Sequence, residues 1–453
     1  MKPISRRWRR FLPFLLLPVL LGAAQAEHGI APEQFFLVLI SILIFGKVFG
    51  ELAERIGQPA VLGELVAGVV LGGSVLGIIP ADGTMREVIQ LLAEVGVAIL
   101  LFEIGLETDL KEMFRVGPAA TLVACVGVAT PFLLGFLYWI FVLPDIGTHP
   151  ADVSDTMVAI FVGATLTATS VGITARVLTD LNRIHTPEAR VIIGAAVIDD
   201  VLGLVILAIV SGLAAGAALS LFGIAMKFAV AAGFLVAAVI VGNLVAPRLF
   251  GIVDRMRVRG VLLVSAFSFA LLFAALAAMA ESAMIIGSFA AGIVLSSTNQ
   301  FDLIAERIEP VADIFTPIFF VSVGASVDLT LFLPWTESFN PAVLAVGGAL
   351  LVVAIIGKVA SGFSVGYGRN KLSHLAIGVG MVPRGEVGLI FADIGLRRGI
   401  LSSEVFSAVL IMVMLTTFIS PPLLKVIFRR TVGPVEAEPV PASEPAQLPV
   451  AGP

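Results

Sequence analysis

Residues 194–203 read Gly194-Ala-Ala-Val-Ile-Asp-Asp-Val-Leu-Gly203 and set Asp199 and Asp200 side by side inside an otherwise apolar run. The run from Arg190 to Ser211 suits one membrane-spanning helix, with the acidic pair near its middle. A carboxylate in hydrocarbon costs roughly 2.5–3.5 kcal/mol even on lenient insertion scales. Two adjacent ones therefore require water, a cation, a proton or a buried base to meet them. Neighbouring helical residues point about 100° apart, so the two carboxylates line adjacent sides of one cavity and take different partners. The bland reading is a structural pair held by groups on neighbouring helices.

Working outward, the composition places this stretch in a membrane protein. The chain of 453 residues is 58% hydrophobic and only 13% charged, with a mean hydropathy of +1.06; soluble domains carry about 25% charged residues. A net charge of −5 gives no reason to expect nucleic acid as a partner. One cysteine, Cys125, excludes an intrachain disulfide, and four scattered histidines argue against a structural zinc or iron–sulfur site. No cofactor is expected. The 45 glycines suit close helix packing and interrupted membrane helices.

Long apolar windows predict thirteen helices, at 33–53, 59–79, 87–107, 117–143, 156–178, 190–212, 222–246, 260–279, 283–298, 312–329, 341–366, 373–396 and 403–427. Pro317 is expected to kink the tenth. Basic residues give a separate test of this count. If the chain starts outside and alternates, the cytoplasmic side collects Arg55, Lys111, Arg115, Arg176, Arg183, Arg190, Arg248, Arg255, Arg257, Arg259, Arg307, Arg369, Lys371, Lys425, Arg429 and Arg430. The outer side holds Arg86, Arg397 and Arg398. Six helices, a linker helix and six more is the arithmetic of an inverted repeat, a plan common in secondary transporters.

The ends carry other signals. Five basic residues (Lys2, Arg6, Arg7, Arg9, Arg10) precede the apolar run Phe11–Leu21, and Ala24-Gln25-Ala26 follows as a small-x-small site. Residues 1–26 therefore read as a secretory signal peptide, or else as an uncleaved extra helix. Residues 431–453 are rich in Pro, Ala and Glu and read as a disordered tail, with no nucleotide-binding domain after the last helix.

Three further features lie within the membrane windows. Lys358, in AIIGKVASGF, needs a carboxylate, with Asp199 or Asp200 the available partner, unless its stem snorkels towards the polar loop near Gly366. Lys47 and Lys227 lie nearer helix ends and are read as snorkelling. In the fifth window, residues 166–174 run Leu-Thr-Ala-Thr-Ser-Val-Gly-Ile-Thr. Four hydroxyls (Thr167, Thr169, Ser170, Thr174), a glycine and β-branched neighbours weaken the helix there. Freed carbonyls and hydroxyls suit a hard cation such as Na⁺, the alternative being a polar helix–helix contact. In the twelfth window, Gly380-Met-Val-Pro383-Arg384-Gly385-Glu386-Val-Gly388 gives a second interruption, because Pro383 removes a backbone bond. The two interruptions fall at matching places, fifth of the first six and fifth of the second six. Arg384 and Glu386, with Thr167 and Pro383, are read as holding this crossing.

TATSVGITARVL at 167–178, GAAVIDDVLGL at 194–204, GKVASGF at 357–363 and MVPRGEVGLI at 381–390 resemble, in this order, the sodium/proton antiporters of the NapA type, within the monovalent cation:proton antiporter superfamily. The likeness covers about residues 33–427. It implies an all-α polytopic fold of thirteen membrane helices, two inverted six-helix repeats plus a linker helix at 222–246. A dimer domain (33–107 and 260–329) would stand beside a moving core (117–212 and 341–427) within a membrane domain of residues 27–430. It also implies a homodimer in a lipid bilayer, in which Asp200 carries the cation or proton, Asp199 pairs with Lys358, and Thr169 and Ser170 line the unwound helix. Na⁺ would be bound by Asp200 with Asp199. Family members with two aspartates here are generally electrogenic, exchanging two protons per Na⁺.

The resulting expectation is a secondary active sodium or lithium/proton antiporter, not an enzyme, serving pH homeostasis in a bacterial inner membrane with an external N-terminus and a cytoplasmic C-terminus. A potassium/proton efflux antiporter or channel-like system is one alternative, and an organic-anion symporter of related architecture is another. An intramembrane aspartyl protease fails on geometry, because its carboxylates must face each other from two helices and share a proton.

Overall fold

A computed structural model describes residues 31–107, 117–142, 153–170, 174–175, 177–178, 181, 183–184, 186–214, 221–253, 255–280, 284–336, 338–365 and 372–431. The expected signal peptide and Pro-rich tail lie outside these residues. Among them there is no strand, and fourteen α-helices follow one another: α1 Pro32–Arg55, α2 Ala60–Leu71, α3 Thr84–Glu107, α4 Gly117–Val142, α5 Asp155–Thr165, α6 Pro187–Ala214, α7 Leu221–Val253, α8 Val261–Met279, α9 Met284–Ser296, α10 Phe301–Ala325, α11 Pro341–Gly362, α12 His374–Gly380, α13 Glu386–Arg397 and α14 Ser403–Thr431. Among the described residues, eight segments are long and apolar enough to cross a membrane by length and composition, and α2, α5 and α9 are shorter apolar helices.

Local chemistry sets several boundaries. Pro32 stands at the first helical position of α1, with Glu33 in the first turn and Arg55 in the last, matching the helix dipole. The side chains of Ser154, Asn340 and Ser373 cap α5, α11 and α12 by accepting from Met157 N, Ala342 N and Ala376 N. Some windows differ from expectation. The helix expected over 59–79 stops at Leu71, where Gly72 turns out of the helix. α10 begins at Phe301, eleven residues before its window, because Asp302–Pro310 continues the helix on an amphipathic rather than apolar pattern. Pro310 and Pro317 both lie inside it without ending it. Lys47 does not snorkel alone: its Nζ meets Asp313 Oδ1 of α10 at 2.6 Å. The side chain of Lys227 lies outside what is described.

Two bundles result. α1, α2, α3, α8, α9 and α10 pack on one another, as do α4, α5, α6 and α11–α14, with α7 joining them. Glycines allow backbones to touch inside each bundle, where any side chain would intrude. A Cβ on Gly68 would lie 2.2 Å from Val321 O, on Gly324 2.1 Å from Leu65 O, and on Gly292 2.2 Å from Phe102 O, all in the first bundle. In the second, a Cβ on Gly362 would lie 2.1 Å from His374 O and on Gly378 2.3 Å from Val359 O. An apolar core spans the two bundles: Leu65, Val97, Phe289 and Phe319 share it with Val162, Leu207, Val343 and Phe391. The second bundle contains the two helix interruptions.

Candidate functional site

The fifth and twelfth windows, expected as single helices with weak centres, are each broken. α5 ends at Thr165, residues 166–170 are not helical, and a helical turn resumes at Thr174. α12 ends at Gly380, and α13 starts only at Glu386, with Met381–Gly385 between them. The breaks leave backbone groups without helical partners, which an apolar interior does not forgive. Each break serves the other. Ser170 N donates to Pro383 O at 2.9 Å, Thr169 Oγ1 to Met381 O at 3.1 Å, and Thr174 Oγ1 to Gly380 O at 2.8 Å. Gly385 is needed for this approach, since a Cβ there would sit 2.7 Å from Ser170 Oγ. Thr167 does not bridge the crossing; its hydroxyl donates back to Ala164 O at 2.8 Å, closing the end of its own half-helix.

Against this crossing stands the middle of α6. Lys358 Nζ, from the last turns of α11, donates to Asp199 Oδ1 at 3.0 Å and Oδ2 at 3.1 Å. Both side chains are fully buried. Of the two aspartates left open as partners for Lys358, Asp199 makes the contact, and the 100° step of the helix turns Asp200 to a half-buried position. Asp200 still acts electrostatically on Lys358. α4 packs beside the ammonium: a Cβ on Gly127 would lie 3.3 Å from Ser361 Cβ and in ordinary contact with Lys358 Nζ, and Gly357 lets α11 close onto Pro131. Thr130 Oγ1 ties α4 to α11 by donating to Gly357 O at 2.8 Å.

Arg384 is the second buried cation. It lies fully within the crossing, and its Nη1 donates to Ala168 O at 2.6 Å. Ala168 lies just past the C-terminal, electronegative end of α5, where a cation is favoured. Thr417 of α14 donates its hydroxyl to Arg384 O. Arg384 Nε and Nη2 have no partner among the described residues, while its charge acts on Asp199 and Lys358.

The structure thus brings together Asp199, Asp200, Lys358, Thr169, Ser170, Pro383 and Arg384. Glu386 is the first residue of α13, and its side chain lies outside what is described. Gly127, Thr130, Pro131 and Thr417 also shape the site without standing out in the sequence. None sits in a polar run; each matters only through the helix it faces. The spacing of Gly127 and Pro131, one turn apart on α4, was the available signal for a close helix contact. Among the described residues no group of three or more His, Cys, Asp or Glu gathers as a metal site.

Comparisons with known proteins agree with this architecture. A family model described as "Sodium/hydrogen exchanger, transmembrane" matches residues 18–430. The chain is 40% identical over 446 residues to the high-affinity Na(+)/H(+) antiporter NhaS3 of Synechocystis sp., covering 91% of this chain and 94% of that one. It is 34% identical over 398 residues to the Na(+)/H(+)-K(+) antiporter GerN of Bacillus cereus, covering 87% and 96%. Its fold matches the sodium proton antiporter MjNhaP1 of Methanocaldococcus jannaschii with a TM-score of 0.68 at 17% identity, over 89% of this chain and 99% of that one.

Proposed function

The chain belongs to the sodium/hydrogen exchanger family, and from that premise we propose that it is a secondary active Na⁺/H⁺ antiporter of the two-aspartate, NapA-like kind. The observation that carries the reading is the buried Lys358–Asp199 pair beside the half-buried Asp200, set against two crossed helix breaks. Asp200 binds either a proton or a cation. Carbonyl and hydroxyl oxygens at the broken segment of residues 166–170 are suitable further ligands for Na⁺ or Li⁺. Both oxygens of Asp199 are engaged by Lys358, so Asp199 serves the cation indirectly.

Coupling follows from charge. An emptied, ionised Asp200 is costly to carry through a dry barrier, so only loaded forms change access. A second proton comes from Lys358, released when a cation arrives, which makes the exchange electrogenic. Asp199, Asp200 and Lys358 then titrate as one coupled group. Access alternates as the bundle holding the crossing slides against the other, which forms the dimer domain of a homodimer, through thirteen membrane crossings with the C-terminus in the cytoplasm of a bacterial inner membrane.

The test is proton flux in sealed proteoliposomes read by a pH-sensitive dye. Na⁺, Li⁺ and K⁺ are added in turn, with the membrane potential clamped or free. Cation-triggered proton movement that depends on potential and vanishes in Asp200→Asn is expected. No cation-dependent proton movement in folded, oriented protein would sink the antiporter reading. K⁺ belongs in the series because GerN, a relative, is described as exchanging K(+) as well.

A further inference from the structure

Two of the segments long and apolar enough to cross a membrane, Gly233–Val253 in α7 and Val261–Met279 of α8, are joined by residues 254–260 alone. So short a connection keeps both helix ends, and everything between them, at the level of the lipid headgroups. Its sequence is Asp254-Arg255-Met256-Arg257-Val258-Arg259-Gly260. Arg255, Arg257 and Arg259 are all exposed. Among the described residues no ion pair or hydrogen bond engages any of their side chains. Arginines near other helix ends are answered: Arg55 by Glu51 at 2.8 Å, and Arg397 by Glu94 and Asp393. Met256 and Val258, which alternate with the three arginines, are exposed as well, at 50% and 73%.

Topology accounts for positive charge on a connecting loop, but a loop that only marks topology has no use for apolar side chains between its charges. Apolar side chains at a membrane surface, in turn, need no arginines beside them. Interleaved, the two suit a ligand with an anionic head and an apolar body. Guanidinium donors match phosphate oxygens in pairs, and the arginine stems add methylene surface of their own. We propose that Arg255, Arg257 and Arg259, with Met256 and Val258, form a binding site for an anionic phospholipid. Its phosphate lies on the guanidinium groups, and its glycerol and upper acyl chains lie against Met256 and Val258. Because α7 is the helix that joins the two bundles, a lipid held here anchors one end of that joint in the headgroup layer. The site goes beyond the antiporter reading and does not depend on which ion is carried.

The test is native mass spectrometry of the full-length protein, delipidated in detergent and then titrated with phosphatidylglycerol, with phosphatidylcholine of the same acyl chains, or with inorganic phosphate. Wild type should retain phosphatidylglycerol in preference to phosphatidylcholine. Each arginine near an anionic lipid surface is worth roughly fivefold in affinity, so Arg255→Gln, Arg257→Gln and Arg259→Gln together should weaken phosphatidylglycerol binding about a hundredfold. Met256→Ser with Val258→Ser should weaken it by a smaller factor and keep the preference for the anionic head. Equal retention by wild type and the triple variant overturns the proposal. So does displacement of the bound lipid by inorganic phosphate at matched concentration, which would make this a phosphate site. All five positions are exposed, and gel filtration confirms that each variant is folded. A second measurement needs no variant: phosphatidylglycerol, and not phosphatidylcholine, should shield the three arginines of wild type from phenylglyoxal, read by peptide mapping. Arginines labelled equally in both lipids overturn the proposal whether or not the protein exchanges ions.

Discussion

Arg397 of α13 reaches across the boundary between the two bundles and donates through Nη1 to Glu94 Oε1 of α3 at 2.9 Å. The same guanidinium is held from its own helix by Asp393, one turn back. Both partners of the cross-boundary pair are partly exposed, so its contribution to stability is small, about 0–1 kcal/mol. Its position matters more than its strength, because a slide of one bundle along the other must break it.

Cysteines at 94 and 397, introduced in a Cys125→Ser background and bridged by a short bifunctional maleimide, are therefore expected to stop cation-driven proton flux. Each single-cysteine variant treated with the same reagent should keep most of its flux. Undiminished flux in fully bridged protein would show that α3 and α13 do not move past one another.

The two aspartates should separate in stability. Asp199→Asn leaves Lys358 buried without its counter-charge, and breaking one side of such a pair costs roughly 3–5 kcal/mol. Asp200→Asn alters a half-buried residue and is expected to cost under about 1 kcal/mol. Thermal unfolding of purified protein in one detergent gives the comparison. Equal losses for the two variants would contradict a geometry in which the bonds from Lys358 go to Asp199.

Gly385 offers a rescue experiment at the crossing. Gly385→Ala places a Cβ 2.7 Å from Ser170 Cβ and Oγ and should push the two broken segments apart, lowering flux by an order of magnitude or more. Adding Ser170→Gly removes both obstructing atoms and should recover much of the flux. A double variant no better than Gly385→Ala would mean that relieving the contact does not restore exchange and that the Ser170 hydroxyl is itself needed.

Glycines in the two bundles should tolerate substitution according to what a side chain there would meet. Gly292→Ala sets a Cβ 2.2 Å from Phe102 O, a backbone atom that cannot step aside, whereas Gly348→Ala meets nothing within 4 Å. The expected outcome is loss of folded, monodisperse protein for the first and unchanged yield for the second, read by fluorescence-detected gel filtration.

The acidic pair was legible in the sequence because desolvation makes any charge in hydrocarbon conspicuous, and both helix breaks were legible from Pro383 and from the hydroxyls around Thr169. Which aspartate takes Lys358 was not legible from the residues, because a 100° step says only that the two differ. The reach of Arg384 to Ala168 and the closure of Gly357 onto Pro131 were also hidden, since both depend on the angle at which separate helices meet. Helix ends failed where apolar windows and helical pattern part company: the amphipathic start of α10 extends beyond its window, and α2 stops well inside its own. Lys47 illustrates the same limit, for its carboxylate partner lies on α10, more than 260 residues away in the chain.

Within each bundle many close approaches are backbone on backbone through glycine, while the bundles, apart from the Arg397–Glu94 pair, share a core of methyls and rings. Meshed backbones behave like gear teeth, and a seam of branched side chains has none. Displacement along that seam changes how much apolar surface each bundle shows to the lipid at its two rims. If transport proceeds by the proposed slide, its work would include deforming the surrounding bilayer, and exchange rates should then vary with the thickness of the membrane that holds the protein.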